Sequence, residues 1–183
     1  LGFALPHRGQ FQGRAETTVR SFARRLAGIA LLLLRSGNEY VCAIRAGALP
    51  LSGLMVHAGT RRPLFTSVGG VAILQTRPEE EVRAVLLDNV AQEISRRGTG
   101  RLEALQKMRE RSDRHGFGVN LGDVVPGLHA LAVPVQDSAG EAFAALCLIG
   151  TAELYGEERL DELHHELLDT AALLTADAQA LSV

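Results

Sequence analysis

AGTRRPLFTSVGGVAIL, residues 58–74, passes from two arginines through a proline to Thr66, Ser67, Gly69 and Gly70, then into an apolar run of helical character. A helix that starts at such a loop turns unpaired backbone N–H groups and the positive end of its dipole outward. Small residues let a ligand approach that backbone closely, which makes the junction a receptor for a carboxylate or phosphate. The plainer reading is an ordinary capped helix start, with Ser67 or Thr66 as the cap. Both readings place a loop-to-helix junction here, and the neighbouring elements follow outward from it.

Upstream, Ala15, Val19, Phe22, Ala23 and Leu26 make an apolar stripe that predicts a helix over Arg14–Ala27, closed by Gly28. Ile29–Arg35 and Tyr40–Arg45 read as strands around the hairpin sequence Ser36-Gly37-Asn38-Glu39, and Leu51–His57 reads as a third strand. Downstream of the Val68–Gln75 helix, Pro78 and Glu79–Glu81 open another helix, with Val82, Val85, Leu86 and Val90 facing inward. Arg101–His115 forms a further helix, with Leu102, Leu105 and Met108 inside and Gly116 as its stop. Phe117–Asn120 is then a short strand. Leu128–Gln136 and Ala142–Ile149 are strands around the turn Asp137-Ser138-Ala139-Gly140. Leu160, Leu163, Leu167, Leu168, Ala171, Leu174 and Ala178 give a closing helix one continuous apolar face.

This order predicts an α+β fold, a mostly antiparallel sheet with helices packed on both sides. The hairpin strands are apolar runs rather than strict alternations, so both sheet faces are expected to be covered at least in part. The 183 residues suit one domain over 1–183, and 46% hydrophobic residues suffice for a core that 4% aromatics force to be aliphatic. A net charge of −2 gives no broad basic field for nucleic acid. The apolar run Ile29–Leu34 is too short to span a bilayer, and the first ten residues, LGFALPHRGQ, show no secretory signal. Cys42 and Cys147 lie in apolar strands and read as buried free thiols in a reducing cytoplasm. The chain opens without Met in the middle of a pattern, which reads as the C-terminal piece of something longer.

Catalytic chemistry finds little support. His164 and His165 are adjacent, so they point to different sides of a helix and read as solvated residues. His57, His115 and His129 lack partners at metal-ligand spacing, neither cysteine lies in a CxxC, and no GxSxG, Walker or dinucleotide glycine pattern occurs. No metal or cofactor is expected.

Three segments together resemble the C-terminal effector-binding domain of the IclR family of bacterial transcriptional regulators. Gly59–Leu74 is similar to the family's G-x-x-x-P-L-H-x-(T/S)-x-x-G-(K/R)-A-x-L run. Arg114-His115-Gly116-Phe117-Gly118-Val119, then Gly122-Asp123, then Gly127 through Val135 are similar to its R-x-x-G-(Y/F)…(G)-E…G-x-x-(A/C)-(I/L)-A-x-P-(V/I) pattern. Asp137 through Gly150 supplies the matching turn and strand, and Leu1-Gly2 looks like the family's linker. The resemblance implies a GAF-like fold that binds a small metabolite, often a carboxylate. It implies a homodimer or tetramer, cytoplasmic, that meets DNA only through an N-terminal winged helix-turn-helix absent from this chain. Carried over residue by residue, Val68 and Gly69, flanked by Ser67 and Gly70, would donate backbone N–H groups to an acid. Asn120 would face the ligand, with Asp123 at a position usually Glu, and Leu128, Ala130, Cys147 and Ile149 would wall the pocket. Phe65 stands at a usual His and Val71 at a usual Lys or Arg. Cys147 and Ile149 are more apolar than usual, so a larger apolar acid, such as an aromatic one, fits better than a small hydroxy or keto acid.

Other readings stay open. Leu128, Ala130 and Ile149 would be core in any α+β domain, and Asn120 suits a turn. Arg61 and Arg62 are either solvated loop charge or guides for an anion. The alternatives in function are a GAF-like enzyme with Cys42 or Cys147 as nucleophile, and a purely structural dimerisation module using the C-terminal helix stripe.

Overall fold

The structure is a computed structural model and describes residues 5–54 and 56–181. The Leu1-Gly2 linker resemblance lies outside the described residues. Helix α1 (Leu5–Leu26) leads into a hairpin of β1 (Ile29–Ser36) and β2 (Glu39–Ala46), followed by the short β3 (Arg61–Pro63). Helices α2 (Val68–Leu74), α3 (Glu79–Arg97) and α4 (Leu102–His115) come next, then β4 (Gly118–Leu121), β5 (Leu128–Gln136), β6 (Ala142–Thr151) and α5 (Leu160–Ala180). The strands form one sheet in the order β3-β2-β1-β6-β5-β4, with every neighbouring pair antiparallel.

The central strands β1 and β6 are buried along almost their whole length, so their sequences, IALLLLRS and AFAALCLIGT, need no alternation. Toward the edge, β2 does alternate between buried and half-buried residues. One face of the sheet carries α1 and α5, which bury Phe22, Leu163, Leu167 and Leu174 against Leu32, Leu146 and Leu148. Full burial of each such leucine stabilises the fold by roughly 1.5–3 kcal/mol. The other face carries α2, α3 and α4, with Ile73, Val85, Leu105 and Met108 packed against Leu31, Leu33 and Cys147.

The α+β layout with helices on both faces is as the sequence predicts. Four local readings change. Helix α1 begins at Leu5 rather than at Arg14. Leu51–His57 is irregular over its described residues, Met55 lying outside them, because Pro50 and a left-handed Gly53 (φ 86°) break an extended run. The third strand is Arg61–Pro63 instead, and Gly59 N–H donates to Cys42 O to fix its approach to β2. Leu168 is 45% exposed, so the buried stripe of α5 omits it. His164 is not simply solvated: its ring stacks on Phe117 at 3.8 Å between centroids, while His165 is exposed. The stripe of α5 is spent on its own sheet and on α1, which removes it as a free interface for a structural dimerisation module.

Two polar residues on α3 hold the helical layer in place. Asn89 is fully buried; its Oδ1 accepts from Phe65 N–H at 3.0 Å and its Nδ2 donates to Asn38 O at 2.9 Å. This ties α3 to both the β1–β2 hairpin and the 3-10 turn Leu64–Thr66 that precedes α2. Glu81 takes Arg35 Nη1 at 2.7 Å and Arg77 Nη2 at 2.9 Å, clamping the start of α3 to the end of β1.

Candidate functional site

A cavity of about 230 Å³ lies where the start of α2 meets the sheet, and it opens to solvent on one side. Its floor is Leu31 of β1, Ala130 of β5 and Ile149 of β6, with Met108 of α4 beside them. Val56 and Leu54 from the β2–β3 connection and Val124 and Leu128 from the β4–β5 connection form its walls. An apolar chamber with few polar groups is the usual form of a small-molecule site, and this one lies below the ordinary range of roughly 300–1,000 Å³.

The polar groups are specific. Asn120 on β4 is only 8% exposed and lines the chamber. Its Oδ1 accepts from Asp123 N–H at 2.9 Å, which fixes the amide's orientation. Its Nδ2, a donor, has no hydrogen-bond partner among the described residues. Tyr40 brings a buried phenol beside the Thr66 hydroxyl; burial pushes it up to about 12, so it stays a neutral hydroxyl near pH 7.

The start of α2 differs from the outward-facing receptor. Ser67 is extended (φ −135°, ψ 146°), and its Oγ accepts from Gly69 N–H at 3.1 Å, so Ser67 is the cap. The Gly69 donor assigned to a bound acid is therefore occupied by the protein itself. The two glycines serve packing. A Cβ on Gly69 would stand 2.7 Å from both Cys147 Sγ and Leu33 Cδ1, and one on Gly70 would stand 1.8 Å from Leu64 O. Both positions face the sheet and the preceding turn rather than the chamber.

Of the residues singled out by sequence, Ser67, Val68, Asn120, Leu128, Ala130 and Ile149 line the cavity together. Gly69, Gly70, Asp123 and Cys147 are not among its lining. Asp123 is engaged behind it, where Arg111 Nε and Nη2 each donate at 2.9 Å and Leu121 N–H donates at 3.1 Å. Burial raises the Asp123 carboxyl, but the Arg111 and Leu121 hydrogen bonds and the Arg111 and Arg114 charges outweigh it and hold the group below its ordinary range. Cys147 is wholly buried beneath Gly69.

Sequence reading weighed Arg62 as a guide for an anion but missed Arg97 and Arg101. Arg62, Arg97 and Arg101 line the cavity. Arg61, considered equally with Arg62, turns away to Glu39 Oε1 and Ser36 Oγ. The run Arg96-Arg97-Gly98-Thr99-Gly100-Arg101 was the available signal: a tight α3–α4 corner gathers its arginines in one place.

The cysteine-nucleophile alternative fails on geometry. Cys42 is 1% exposed and Cys147 0%. Burial pushes the Cys42 thiol up to about 11 and the Cys147 thiol higher still. A thiol of pKa 11 is deprotonated to roughly one part in ten thousand at pH 7, far from an activated nucleophile. The native chain is expected to react with a thiol reagent far more slowly than the chain in denaturant. Labelling of either cysteine at the rate of an exposed thiol would contradict this burial.

Comparison with known proteins agrees with this architecture. The family profile described as "Bacterial transcriptional regulator IclR C-terminal" matches residues 11–176. The HTH-type transcriptional repressor AllR of Salmonella typhi is 28% identical over 138 residues, covering 75% of this chain and 51% of the repressor. The chain thus spans about half the length of the curated relatives it matches. The Thermotoga maritima IclR structure superposes with a TM-score of 0.74 at 19% identity, over 92% of this chain and 68% of that one. The C-terminal domain of the E. coli transcriptional regulator KdgR gives 0.71 at 24% identity, over 93% and 99%. At these identities the two structures establish the shared fold.

Proposed function

Since the chain belongs to the family of IclR C-terminal domains of bacterial transcriptional regulators, we propose that it is the effector-sensing and oligomerising part of such a regulator. Its ligand is a small organic acid, aromatic or otherwise largely apolar. The single domain spans residues 1–183, and DNA is bound by a winged helix-turn-helix N-terminal to it in the full-length protein. Named relatives such as AllR are HTH-type transcriptional repressors, which supports a regulatory rather than an enzymatic role. No described helix is long and apolar enough to cross a membrane, and the regulator acts in the cytoplasm.

The observation that carries the reading is the half-enclosed, mostly apolar chamber lined by Asn120, whose Nδ2 has no hydrogen-bond partner among the described residues. Its walls come from segments that are far apart in the chain, so a ligand bridges the β2–β3 connection, the α2 start and the β4–β5 connection. A ligand held there shifts the relative placement of subunits in a homodimer or tetramer, and with it the spacing of the DNA-binding heads. By linkage it alters DNA affinity only as far as it prefers one placement over the other.

Thermal denaturation against a panel of aromatic and dicarboxylic acids tests this. An acid at a hundred times its dissociation constant stabilises the chain by about 2.7 kcal/mol, an upward shift of roughly 5–10 °C for a domain of this size. Leu128→Trp, at a half-buried lining position, fills the chamber and is expected to abolish the shift with the fold intact. Stabilisation by the same acid that survives this substitution would place the sensing site elsewhere.

A further inference from the structure

The chamber has a one-sided electrostatic character. Among the described residues no Asp or Glu lines it, whereas three arginines do. Arg97, in the last turn of α3, is exposed and has no ion pair among the described residues. Arg62 is half-buried and uses Nη1 on Arg61 O at 2.7 Å, and its other nitrogens have no hydrogen-bond partner among the described residues. Arg101 gives Nε and Nη2 to the two carboxylate oxygens of Glu93, each at 2.9 Å, and keeps Nη1.

Glu93 is 3% exposed on the lower turns of α3, beneath this corner. It sets the Arg101 fork in one orientation, so a ligand meets a guanidinium already ordered. Three guanidiniums against this one carboxylate leave two uncompensated positive charges at the rim of an apolar chamber, in a chain whose overall charge is −2. Low-dielectric walls strengthen such a local field, and planar guanidiniums match carboxylate and phosphate oxygens two at a time. By contrast, the start of α2 has already spent its Gly69 donor on Ser67.

We propose that Arg62, Arg97 and Arg101 form an anion clamp at the mouth of the chamber. The clamp selects a ligand with two negative charges on an apolar body over singly charged or neutral molecules of the same shape. The inference rests on the chamber being the sensing site. Both dicarboxylates and phosphate monoesters have this chemistry. The apolar body enters between Val56, Met108 and Leu128 toward Asn120, and the anionic end stays at the solvent-facing arginines.

Calorimetric titration of the whole chain with four probes built on one ring tests it: benzyl alcohol, benzoate, phthalate and phenyl phosphate. Amide shifts of Val68, Asn120 and Ala130 report whether the chamber is occupied. At least one dianion is expected to bind about tenfold or more tightly than benzoate, with benzyl alcohol weakest and the preference falling as salt is added. Phthalate alone would identify a dicarboxylate site, and phenyl phosphate alone a phosphate monoester site. Arg97→Gln removes an exposed charge with no ion pair among the described residues, so it is expected to cut the dianion preference severalfold while the fold stands; Arg62→Gln repeats the test from the opposite side. Chamber occupancy by benzoate or benzyl alcohol as tightly as by either dianion overturns the clamp but leaves the sensing site in place. So does an unchanged preference in both variants. Failure of all four probes to shift those amides overturns the clamp and counts against the chamber as the sensing site.

Discussion

Gly70→Ala is expected to destabilise the domain by about 3 kcal/mol, well beyond a typical single substitution. Helix propensity alone argues the other way, since alanine in place of a helical glycine gains about 0.5–1 kcal/mol. Contact decides the sign. The new methyl would stand 1.8 Å from the carbonyl oxygen of Leu64 and 2.7 Å from its Cα. These are backbone atoms of the turn that α3 holds through Asn89, whose Oδ1 takes the next amide, Phe65 N–H. Relief therefore requires α2 and the turn to separate, which breaks a buried hydrogen bond or opens the layer over the sheet. Gly69→Ala is the control. There the methyl would meet the Cys147 thiol and a Leu33 methyl, both side-chain atoms, and a cost of about 1–2 kcal/mol is expected. Urea unfolding at unchanged m-value checks both. A Gly70→Ala variant as stable as the parent would show that this close approach does not hold α2 in place.

Most of the architecture was legible because the elements obey one period at a time. Leu163, Leu167, Ala171, Leu174 and Ala178 recur on one side of α5, and that side is the buried one. Gly116 stops α4 by taking the left-handed conformation (φ 82°) that the other residues at that end would resist. The false strand at Leu51–His57 had the apolar content of a strand, but Gly53 adopts positive φ, which hydrophobicity does not reveal. For the site, the aliphatic lining was legible, since Leu128, Ala130 and Ile149 alternate inward on neighbouring strands in the register Ala130↔Ile149. What a sequence motif could not tell was which polar groups remain free. Ser67 closes on its own helix, and Asp123 closes on Arg111. Arg97 and Arg101 join the chamber only because two helices meet at a corner, a tertiary fact with no local periodicity.

The cavity is braced by two ion pairs, each with a buried carboxylate. Glu93–Arg101 fixes the α3–α4 corner and Asp123–Arg111 fixes the β4–β5 connection to α4. In each pair the carboxylate side chain is nearly inaccessible, at 3% and 6%, while the arginine keeps about a quarter to a third of its surface, at 30% and 26%. The arginines thus stay partly hydrated and reach inward to a desolvated acid. Removing an arginine strands a buried charge, whereas neutralising the acid leaves a hydrated cation, so the two halves of each pair are not equivalent.

That asymmetry fixes what Asp123→Asn should do. Breaking a fully buried pair costs about 3–5 kcal/mol. Here Arg111 remains partly hydrated and an asparagine oxygen still accepts from Leu121 N–H, which brings the expected loss near pH 7 down to about 2 kcal/mol. The pH dependence follows from the sign of the shift. The folded carboxyl lies below its ordinary value, and the unfolded one titrates near 3.9, so ionised Asp123 favours the folded state. This contribution is fully present above the unfolded value and is lost as pH falls through the folded one. The stability difference between parent and Asp123→Asn should therefore be level from neutrality down to about pH 5 and shrink steadily in stronger acid. Urea unfolding of both chains along that series is the measurement. A difference that stays constant to the acid limit would mean that the aspartate acts through shape alone. The Asp123 N–H that orients Asn120 is a backbone group and survives the substitution. Ligand binding at neutral pH should then weaken only as far as the β4–β5 connection loosens, which separates the brace behind the chamber from the Asn120 amide that lines it.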